Sequence, residues 1–298
     1  MMQNKYPIYI VSKGRWEKRL TADALERMKT PYYMVVEKSQ YDNYAQYVSK
    51  DKLLILPQEY LDNYETCDEL GASKSKGPGA ARNFAWEHSM SLGFKRHWVM
   101  DDNISDFYRC NDNRRIRART PAIFRAAEDF VDRYENVYVA GLNYRMFIVG
   151  SGYYPPFITN TRIYSCLLIL NDIPYRWRGR YNEDTDLSLR VLKDGHCTVQ
   201  FNAFLADKIR TQILGGGNTA EFYAAEGTLP KSKMLVDLHP DVSSLVWKFK
   251  RVHHHVDYTP FKANKLKLLP GLNVPNVVNN YGMKLVNTNE LDTHDESD

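Results

Sequence analysis

Short apolar segments alternate with amphipathic ones through the first hundred residues, and few fold classes accommodate that order. The apolar segments have the length of buried strands and lie at 7–12, 33–36, 53–57 and 98–100. Between them the sequence predicts a helix capped by Thr21, a short helix over 41–47 and a longer one over 80–91. This alternation favours an α/β fold with a mostly parallel central sheet flanked by helices.

The second half of the chain continues with the same two kinds of segment. Thr120-Pro121 predicts a helix start, and Asn182 predicts the cap of another helix that ends at Gly195. Apolar segments predict strands at 137–142, 145–149 and 164–170. Residues 215–218 predict a flexible loop, and the turn residues beyond Lys262 predict an irregular extension that packs on the main domain.

The composition excludes several protein classes. Of the 298 residues, 43% are hydrophobic and 26% are charged, which excludes a disordered, collagen-like or coiled-coil protein. No apolar run approaches the roughly 20 residues of a membrane span, and the first residues lack the apolar core of a signal peptide. The four cysteines form no Cys-x-x-Cys pair and are predicted to be free thiols. We therefore expect a cytoplasmic protein without a membrane partner.

Charge is unevenly distributed along the chain. The formal net charge is +4, but residues 290–298 hold five acidic and no basic residues, so the remainder carries +9. We expect that tail to be disordered. Basic residues interleaved with aromatic ones cluster at 109–119, 176–180 and 248–251. Such clusters are often solvated surface, but three of them favour a polyanionic partner.

Asp101-Asp102-Asn103 follows an apolar strand directly, which places two carboxylates at the rim of the predicted sheet. Mg²⁺ and Mn²⁺ prefer oxygen ligands, and often bind one or two carboxylates together with the phosphates of a substrate. The same residues also favour a surface turn. Upstream, Gly77-Pro78-Gly79 begins a helix whose free N–H groups, with Arg82, favour a bound phosphate. It is not a Walker loop, and alone it is weak evidence.

Two further groups carry titratable side chains. Residues 177–184 end in Glu183-Asp184 at a predicted helix start, where a carboxylate acts either as a cap or as a general base. His253-His254-His255 cannot all bind one metal, because alternate side chains of an extended strand diverge. One of the three histidines is a candidate ligand, and a surface histidine is the alternative.

The order of these motifs resembles the glycosyltransferases of the GT-A fold that use nucleotide sugars. More narrowly, it is similar to the TET-associated DNA glycosyltransferase family, which is largely encoded by bacteriophages and is thought to glycosylate 5-hydroxymethylated pyrimidines in DNA. The resemblance covers roughly residues 5 to 262. It rests on 12–15 (Ser-Lys-Gly-Arg), 77–83 (Gly-Pro-Gly-Ala-Ala-Arg-Asn), 101–103, 182–187 (Asn-Glu-Asp-Thr-Asp-Leu) and 254–258 (His-x-Val-Asp-Tyr). Asn103 departs from the familiar Asp-x-Asp pattern, so either Asp101 or Asp102 is the principal metal ligand.

The resemblance implies a role for each motif. Nucleotide-sugar contacts are implied for Ser12, Lys13, Gly14, Arg15, Glu37, Arg82, Asn83 and Asp101. Asp102 and His254 would bind Mn²⁺ or Mg²⁺, and Asp184 would be the catalytic base. Acceptor DNA would contact Trp177, Arg178, Arg180, Tyr181 and Glu183. Trp177 or Tyr181 would stack on a flipped-out base, and Arg178 or Arg180 would hold phosphate.

The implied reaction moves a sugar from a UDP-sugar to the hydroxymethyl group of 5-hydroxymethylcytosine in DNA, with a metal and with inversion, in the host cytoplasm. A GT-A enzyme acting on a protein, lipid or polysaccharide is one alternative, and an inactive DNA-binding scaffold is another. We expect a GT-A domain over 5–262, the extension over 263–289 and the tail over 290–298. The sugar, the metal and the oligomeric state stay open.

Overall fold

The computed structural model describes residues 3–68, 75–111, 114–149, 152, 154–209, 229–248, 250–272 and 278. The strands of these ranges are β1 (Ile8–Val11), β2 (Tyr33–Glu37), β3 (Leu53–Leu56), β4 (Arg96–Asp101), β5 (Ile104–Asn111), β6 (Arg114–Arg117), β7 (Val137–Tyr144), β8 (Phe157–Thr159), β9 (Cys166–Leu170), β10 (Cys197–Lys208), β11 (Ser243–Lys248) and β12 (Arg251–Val256). The helices are α1 (Leu20–Arg27), α2 (Tyr41–Ala45), α3 (Gln58–Asp62), α4 (Gly79–Ser91), α5 (Ala122–Val131), α6 (Glu183–Lys193) and α7 (Leu229–Leu238). Within these ranges, every helix is too short or too polar to cross a bilayer.

Ten of the strands form one mixed sheet in the order β3-β2-β1-β4-β9-β7-β10-β5-β6, with β8 also paired to β10. The first four strands of this order are mutually parallel, as the alternation predicts. Strand β9 then runs antiparallel to both β4 and β7, while β10 is parallel to β7. The fold is therefore α/β with a large mixed sheet flanked by helices. Its longest parallel part consists of β1 to β4, and β7 and β10 form a second parallel pair.

Two hydrophobic cores lie on opposite faces of this sheet. Strand β1 divides its side chains between them, because successive side chains of a strand point to opposite faces. Ile8 and Ile10 pack in the core that contains the buried residues of α1 and α5. Tyr9 and Val11 pack in the core that contains those of α4 and α6. Burial on both faces makes β1 continuously apolar rather than alternating.

Local predictions fail at two places. Thr21 does not cap α1, whose cap residue is Arg19; its hydroxyl instead donates to the Asp101 carbonyl and accepts from the Ile104 N–H. The predicted strand over 145–149 is wrong, since β7 extends to Tyr144 and residues 145–147 form a 3₁₀ turn. Thr21 thereby fixes the chain around Asp101 rather than the start of its own helix.

Most of the second half was not predicted in detail. The sequence indicated no strand for β5, β6, β8, β10 or the hairpin of β11 and β12. Of the predicted extension, the described residues contact α5 and the turn after it: Leu269 N–H donates to the Arg133 carbonyl, and Glu135 N–H to the Lys267 carbonyl. The predicted loop over 215–218 and the predicted tail over 290–298 lie outside the described residues.

Candidate active site

The strands β1, β2, β4, β7 and β10 all end at the same edge of the sheet, since they run in one direction. A cavity of about 420 Å³ lies at that edge. Ligands of open α/β sheets bind outside the carboxyl ends of the strands. The residues that end these strands or follow them directly, and that line the cavity, are Ser12, Glu37, Asp101, Tyr144 and Lys208.

Most residues that the motifs singled out line this cavity. They are Ser12, Lys13, Arg15, Glu37, Arg82, Asp101, Asp102, Arg180, Tyr181, Glu183, Asp184 and His254. Four do not line it, namely Gly14, Asn83, Trp177 and Arg178. The lining also contains Tyr144, Tyr164, Ser165, Lys208 and Lys231, which the sequence did not indicate. Residues from across the sequence thus meet in one place, while their individual roles still have to be argued from contacts.

Asp101 is held by two cations. Its Oδ1 accepts from Arg82 Nη2 at 2.8 Å, and its Oδ2 accepts from Lys208 Nζ at 2.8 Å and from Ser165 Oγ at 2.7 Å. Burial alone would raise the pKa of this carboxyl, but Lys208 and Arg82 outweigh it and hold the pKa well below its usual range. Asp101 is therefore ionised at any pH at which the protein is folded around these contacts.

Asp102 is bound on its other side by β1. One carboxylate oxygen pairs with Arg15, and the other accepts from Ser12 Oγ at 2.7 Å. The Tyr44 hydroxyl completes this cluster, 2.7 Å from Ser12 Oγ. Burial raises the pKa of Asp102 more than Arg15 and Ser12 lower it. Ser12 and Arg15 of the Ser-Lys-Gly-Arg segment thus hold the Asp102 carboxylate in the cavity wall.

Arg82 joins the two acidic pairs of the cavity. From the first turn of α4 it donates to Asp101 and, through Nη1, to Glu183 Oε1 at 2.9 Å. Its guanidinium lies over the ring of Trp177, 4.6 Å from the centroid. Only 3% of its side chain is exposed, and coulombic attraction from Glu183 and Asp101 outweighs burial, so its pKa is raised. Arg82 is thus buried as the centre of an ion-pair network.

Asp184 differs from the other carboxylates of the cavity. Among the described residues, no cationic side chain lies within ion-pair distance of it, and its Oδ1 accepts from the Thr185 N–H at 2.9 Å. Burial and the neighbouring Glu183 charge raise its pKa to about 7, against the smaller opposing effect of Arg82. A partly exposed carboxyl with such a pKa exchanges a proton readily near neutral pH, as a general base requires.

The loop before α6 does not present the acceptor surface that its aromatic and basic residues suggested. Trp177 is only 2% exposed, packed under Arg82, so it offers no ring face for a base. Arg178 pairs with Asp186 at 3.2 Å, and Arg180 pairs with Asp68 at 2.6 Å. The stacking role predicted for Trp177 is wrong in this structure, because an aromatic residue between charged ones was taken as exposed.

Asn83 and the glycines have structural roles. The Asn83 side chain donates a hydrogen bond to the Trp177 carbonyl at 2.9 Å and accepts one from the Trp177 N–H at 2.8 Å. These two bonds fix the loop before α6 and leave Asn83 no contact with a nucleotide sugar in the cavity. A Cβ at Gly77 would lie 2.7 Å from the Arg180 carbonyl, and one at Gly79 would overlap the Tyr64 hydroxyl. Gly14, at φ 68°, forms the turn after β1. These residues position the cavity without lining it, except Gly77.

The predicted metal ligands do not fit a divalent cation as they are arranged. All four oxygens of Asp101 and Asp102 accept from a cation or a hydroxyl. Burial and the nearby charges of Lys231 and Arg162 lower the pKa of His254 to about 4, and those two positive charges would also oppose a divalent cation. Within the described ranges, no three histidine, cysteine or acidic side chains form a metal-binding group.

Lys208 is the main residue that the sequence did not reveal. It lies at the end of β10, which the apolar pattern did not indicate as a strand. The signal that would have drawn attention to it is the polar pair Asp207-Lys208 after a run of apolar residues, Phe204-Leu205-Ala206. Register places this strand end beside Tyr144 on β7, so the ammonium reaches Asp101 across the sheet edge.

Comparison with known proteins identifies the family. Among solved structures, the mannose-6-phosphate isomerase of Helicobacter pylori is 10% identical to this chain, and the match covers 89% of this chain and 90% of that one. Its TM-score is 0.26, which is too low to support an argument about fold or function. Comparison with the curated proteins finds no match. The family model described as TET-Associated Glycosyltransferase matches residues 6–217, from β1 through β10. The chain belongs to the TET-associated glycosyltransferase family.

Proposed function

We propose that this chain transfers a sugar from a UDP-sugar to the hydroxymethyl oxygen of 5-hydroxymethylcytosine in DNA. Asp184 is the observation that carries the proposal. It is a cavity carboxyl with a pKa raised to about 7 and with no cation at ion-pair distance among the described residues. Transfer to an alkyl hydroxyl needs such a base, because the hydroxyl is a weak nucleophile until its proton is removed.

The shape of the cavity supports a nucleotide-sugar donor. Its wall beside β1, β2 and β3 contains the apolar Val35, Val36, Leu56 and Leu61 together with the charged Lys13 and Glu37. Its other wall carries Arg82 and Lys208 beside Asp101. A pyrimidine ring fits the first wall and a diphosphate fits the second, in the way that GT-A enzymes place their donors at strand ends. This match supports a GT-A type of donor site.

The reaction is a single displacement. Asp184 takes the proton of the acceptor hydroxyl, whose oxygen forms a bond to the anomeric carbon. The bond from that carbon to the distal phosphate breaks, and the electron pair leaves with UDP. One base and one displacement invert the anomeric configuration, since attack occurs on the face opposite the leaving group. Asp184 then releases its proton to solvent as the products dissociate.

The DNA acceptor is supported by family membership and by the basic residues. The C5 substituent of cytosine projects into the major groove, but the Asp184 carboxyl lies inside a cavity. We therefore propose that the modified nucleotide is flipped out of the duplex, which costs a few kcal/mol of stacking and pairing. Activity should be higher when the modified cytosine is mismatched or in a single strand.

Nucleoside mass spectrometry tests the proposal directly. DNA containing 5-hydroxymethylcytosine is incubated with the protein and a panel of UDP-sugars, with and without Mn²⁺. The expected product is a nucleoside heavier by one sugar residue, formed by the native protein and strongly reduced with Asp184→Asn. UDP release without a modified nucleoside would indicate hydrolysis or another acceptor. DNA binding without UDP release under any condition would instead favour a scaffold.

A further inference from the structure

Lys208 is a buried cation at the point where the leaving diphosphate of the proposed reaction would lie. We propose that Lys208 supplies the fixed positive charge that stabilises the departing phosphate, so that transfer requires no divalent cation. This inference rests on the proposed function, because it concerns the leaving group of that reaction. It replaces the metal site that the Asp-Asp-Asn motif suggested.

The ammonium group is held by contacts from separate strand ends. Its Nζ lies 2.8 Å from Asp101 Oδ2, 2.5 Å from Ser165 Oγ and 3.4 Å from the Tyr144 hydroxyl. The Lys208 side chain is 13% exposed, and that exposed part lines the cavity. An ammonium has three N–H donors. The contacts to Asp101 and Ser165 use two of them, and a phosphate oxygen would take the third in place of its long contact to Tyr144.

The same contacts oppose a divalent cation. A metal bound to Asp101 would have to displace Lys208 from Oδ2 and Arg82 from Oδ1. The metal and these two cations would then lie close together in a buried site, where like charges repel strongly. Burial alone would lower the pKa of Lys208, but the attraction of Asp101 raises that pKa by more than burial lowers it. The amine therefore stays charged. Asp101 therefore acts as the positioning residue of a cation that is part of the chain.

In the transfer step, the bond from the anomeric carbon breaks and leaves its electron pair on the β-phosphate oxygen that carried the sugar, which becomes a terminal oxygen of UDP. Lys208 donates a hydrogen bond to the diphosphate as this charge develops, and no proton is transferred to the leaving group. A preorganised donor of this kind is worth a factor on the order of 10² to 10³ in kcat. Lys208 remains protonated through the cycle, and the only proton released is the one from the acceptor hydroxyl.

Calorimetric titration with UDP in EDTA provides a test that is independent of turnover. The native protein should bind UDP in EDTA, and Mn²⁺ should change the Kd by less than about twofold. Lys208→Met should weaken UDP binding at least tenfold and lower kcat on the order of 10² to 10³, and Lys208→Arg should restore part of both. Lys193→Met, which removes an amine that pairs with Asp241 at the surface, is the matched control and should bind UDP normally.

The outcomes separate this inference from the function. Sugar transfer that occurs only with Mn²⁺ would overturn the role of Lys208 and leave the proposed function standing. Transfer in EDTA that survives Lys208→Met would also overturn it. Failure of UDP to bind in either condition would overturn both. Thermal melting of Lys208→Met and Lys208→Arg identifies unfolding, and a folded Lys208→Arg protein with no recovery of UDP binding contradicts the inference.

A second observation, on the surface, concerns the hairpin of β11 and β12. Leu245 is paired with His254, and Trp247 is paired with Val252. Paired residues of antiparallel strands, and residues two apart on one strand, share a face. His254 lines the cavity, so Trp247 lies on that same face, nearer the hairpin turn. Its exposed fraction is 72%, the largest among the exposed hydrophobic side chains of the described residues.

We infer that this hairpin holds the acceptor DNA strand beside the cavity, a role that depends on the proposed function. Exposed Lys250 lies in the turn beside Trp247, whereas the pair Lys248 and Arg251 lies on the opposite face of the hairpin. Aromatic rings that stack on bases, flanked by cations that contact phosphates, bind single strands with little sequence preference. The hairpin thus takes the role that was predicted for the buried Trp177.

Fluorescence anisotropy with a single strand containing 5-hydroxymethylcytosine tests the hairpin. Trp247→Ala should weaken DNA binding about tenfold or more and leave UDP binding unchanged. Lys250→Gln should reduce the slope of log K against log salt by about 1, whereas Lys248→Gln, on the opposite face, should leave that slope unchanged. Phe94→Ala is the control, since Phe94 is 37% exposed just before β4, at the opposite sheet edge. Unchanged affinity in Trp247→Ala would overturn the hairpin role, and absence of DNA binding by the native protein would overturn it together with the DNA acceptor.

Discussion

The cavity contains two pairs of adjacent acidic residues, and their surroundings differ. At the end of β4, both Asp101 and Asp102 are bound by cations and hydroxyls from other elements. At the start of α6, Glu183 is bound by Arg82, whereas Asp184 has no such partner among the described residues. The strand-end pair therefore stabilises the site, and the helix-start pair leaves one carboxyl with its pKa raised to about 7.

This difference shows that residue type and position in a motif do not assign a role. The resemblance implied that Asp184 is the base and that Asp102 binds a metal, as strand-end carboxylates often do. The contacts instead make Asp102 part of a buried ion pair with Arg15. The carboxyl that the network does not neutralise is that of Asp184, and its pKa is raised. Each prediction below changes one side of this contrast.

The largest effect is expected for Asp184→Asn. Asparagine has nearly the same shape but cannot accept the hydroxyl proton, so kcat should fall by a factor on the order of 10² to 10⁴. Affinity for UDP should be unchanged, and single-turnover kinetics with calorimetric titration would measure both. A loss confined to KM would place Asp184 in acceptor binding and would remove the contrast between the two pairs.

Trp177→Ala tests the network that joins the pairs. Its ring is buried and supports Arg82, so truncation should destabilise the protein by about 3 to 5 kcal/mol. Urea unfolding would measure this effect, with Trp247→Ala as the control that removes an exposed tryptophan. A stability loss near zero in Trp177→Ala, accompanied by weaker DNA binding, would restore the stacking role that the sequence suggested.

Asp102→Asn should act on stability before it acts on chemistry. The variant leaves Arg15, 10% exposed, without the carboxylate charge, and breaking a buried pair from one side costs about 3 kcal/mol. Equilibrium unfolding should show this loss at pH 7, and Mn²⁺ should not alter it. If Mn²⁺ stabilised the native protein but not Asp102→Asn, Asp102 would be a metal ligand after all.

Much of the first half was accessible from the sequence, for a local reason. Continuous apolar strands such as β1 and β2 are bounded by turn residues, and the polar residues Ser12, Glu37 and Asp101 mark their ends. The carboxyl ends of parallel strands meet, so the location of the cavity followed. Asp184 is visible in the sequence as a carboxylate at a helix start, and its role as a base stays a prediction.

The partners of these residues were not accessible. Lys208 is 107 residues from Asp101, and only the pairing of β10 with β7 brings the two together. Burial of Trp177 depends on Arg82 from a distant helix, so an exposed and a buried tryptophan look alike in the sequence. Periodicity indicates the elements, whereas ion pairs across the sheet edge depend on topology.

The smallest predicted effect compares the stability of Asp184→Asn with that of the native protein at two pH values. A carboxyl whose pKa is about 7 in the folded state and near 4 when unfolded keeps its proton longer in the folded state. It therefore costs no stability near pH 4, and the folded state loses stability as pH rises toward and through 7. Asparagine is neutral throughout and avoids this loss. Asp184→Asn should gain on the order of 2 kcal/mol over the native protein at pH 8, and close to nothing at pH 4. Thermal melting at the two pH values measures the difference, and Asp241→Asn, at an exposed carboxyl, should show no such gain. A variant that is less stable than the native protein at pH 8 would mean that the Asp184 charge is neutralised as fully as that of Asp101.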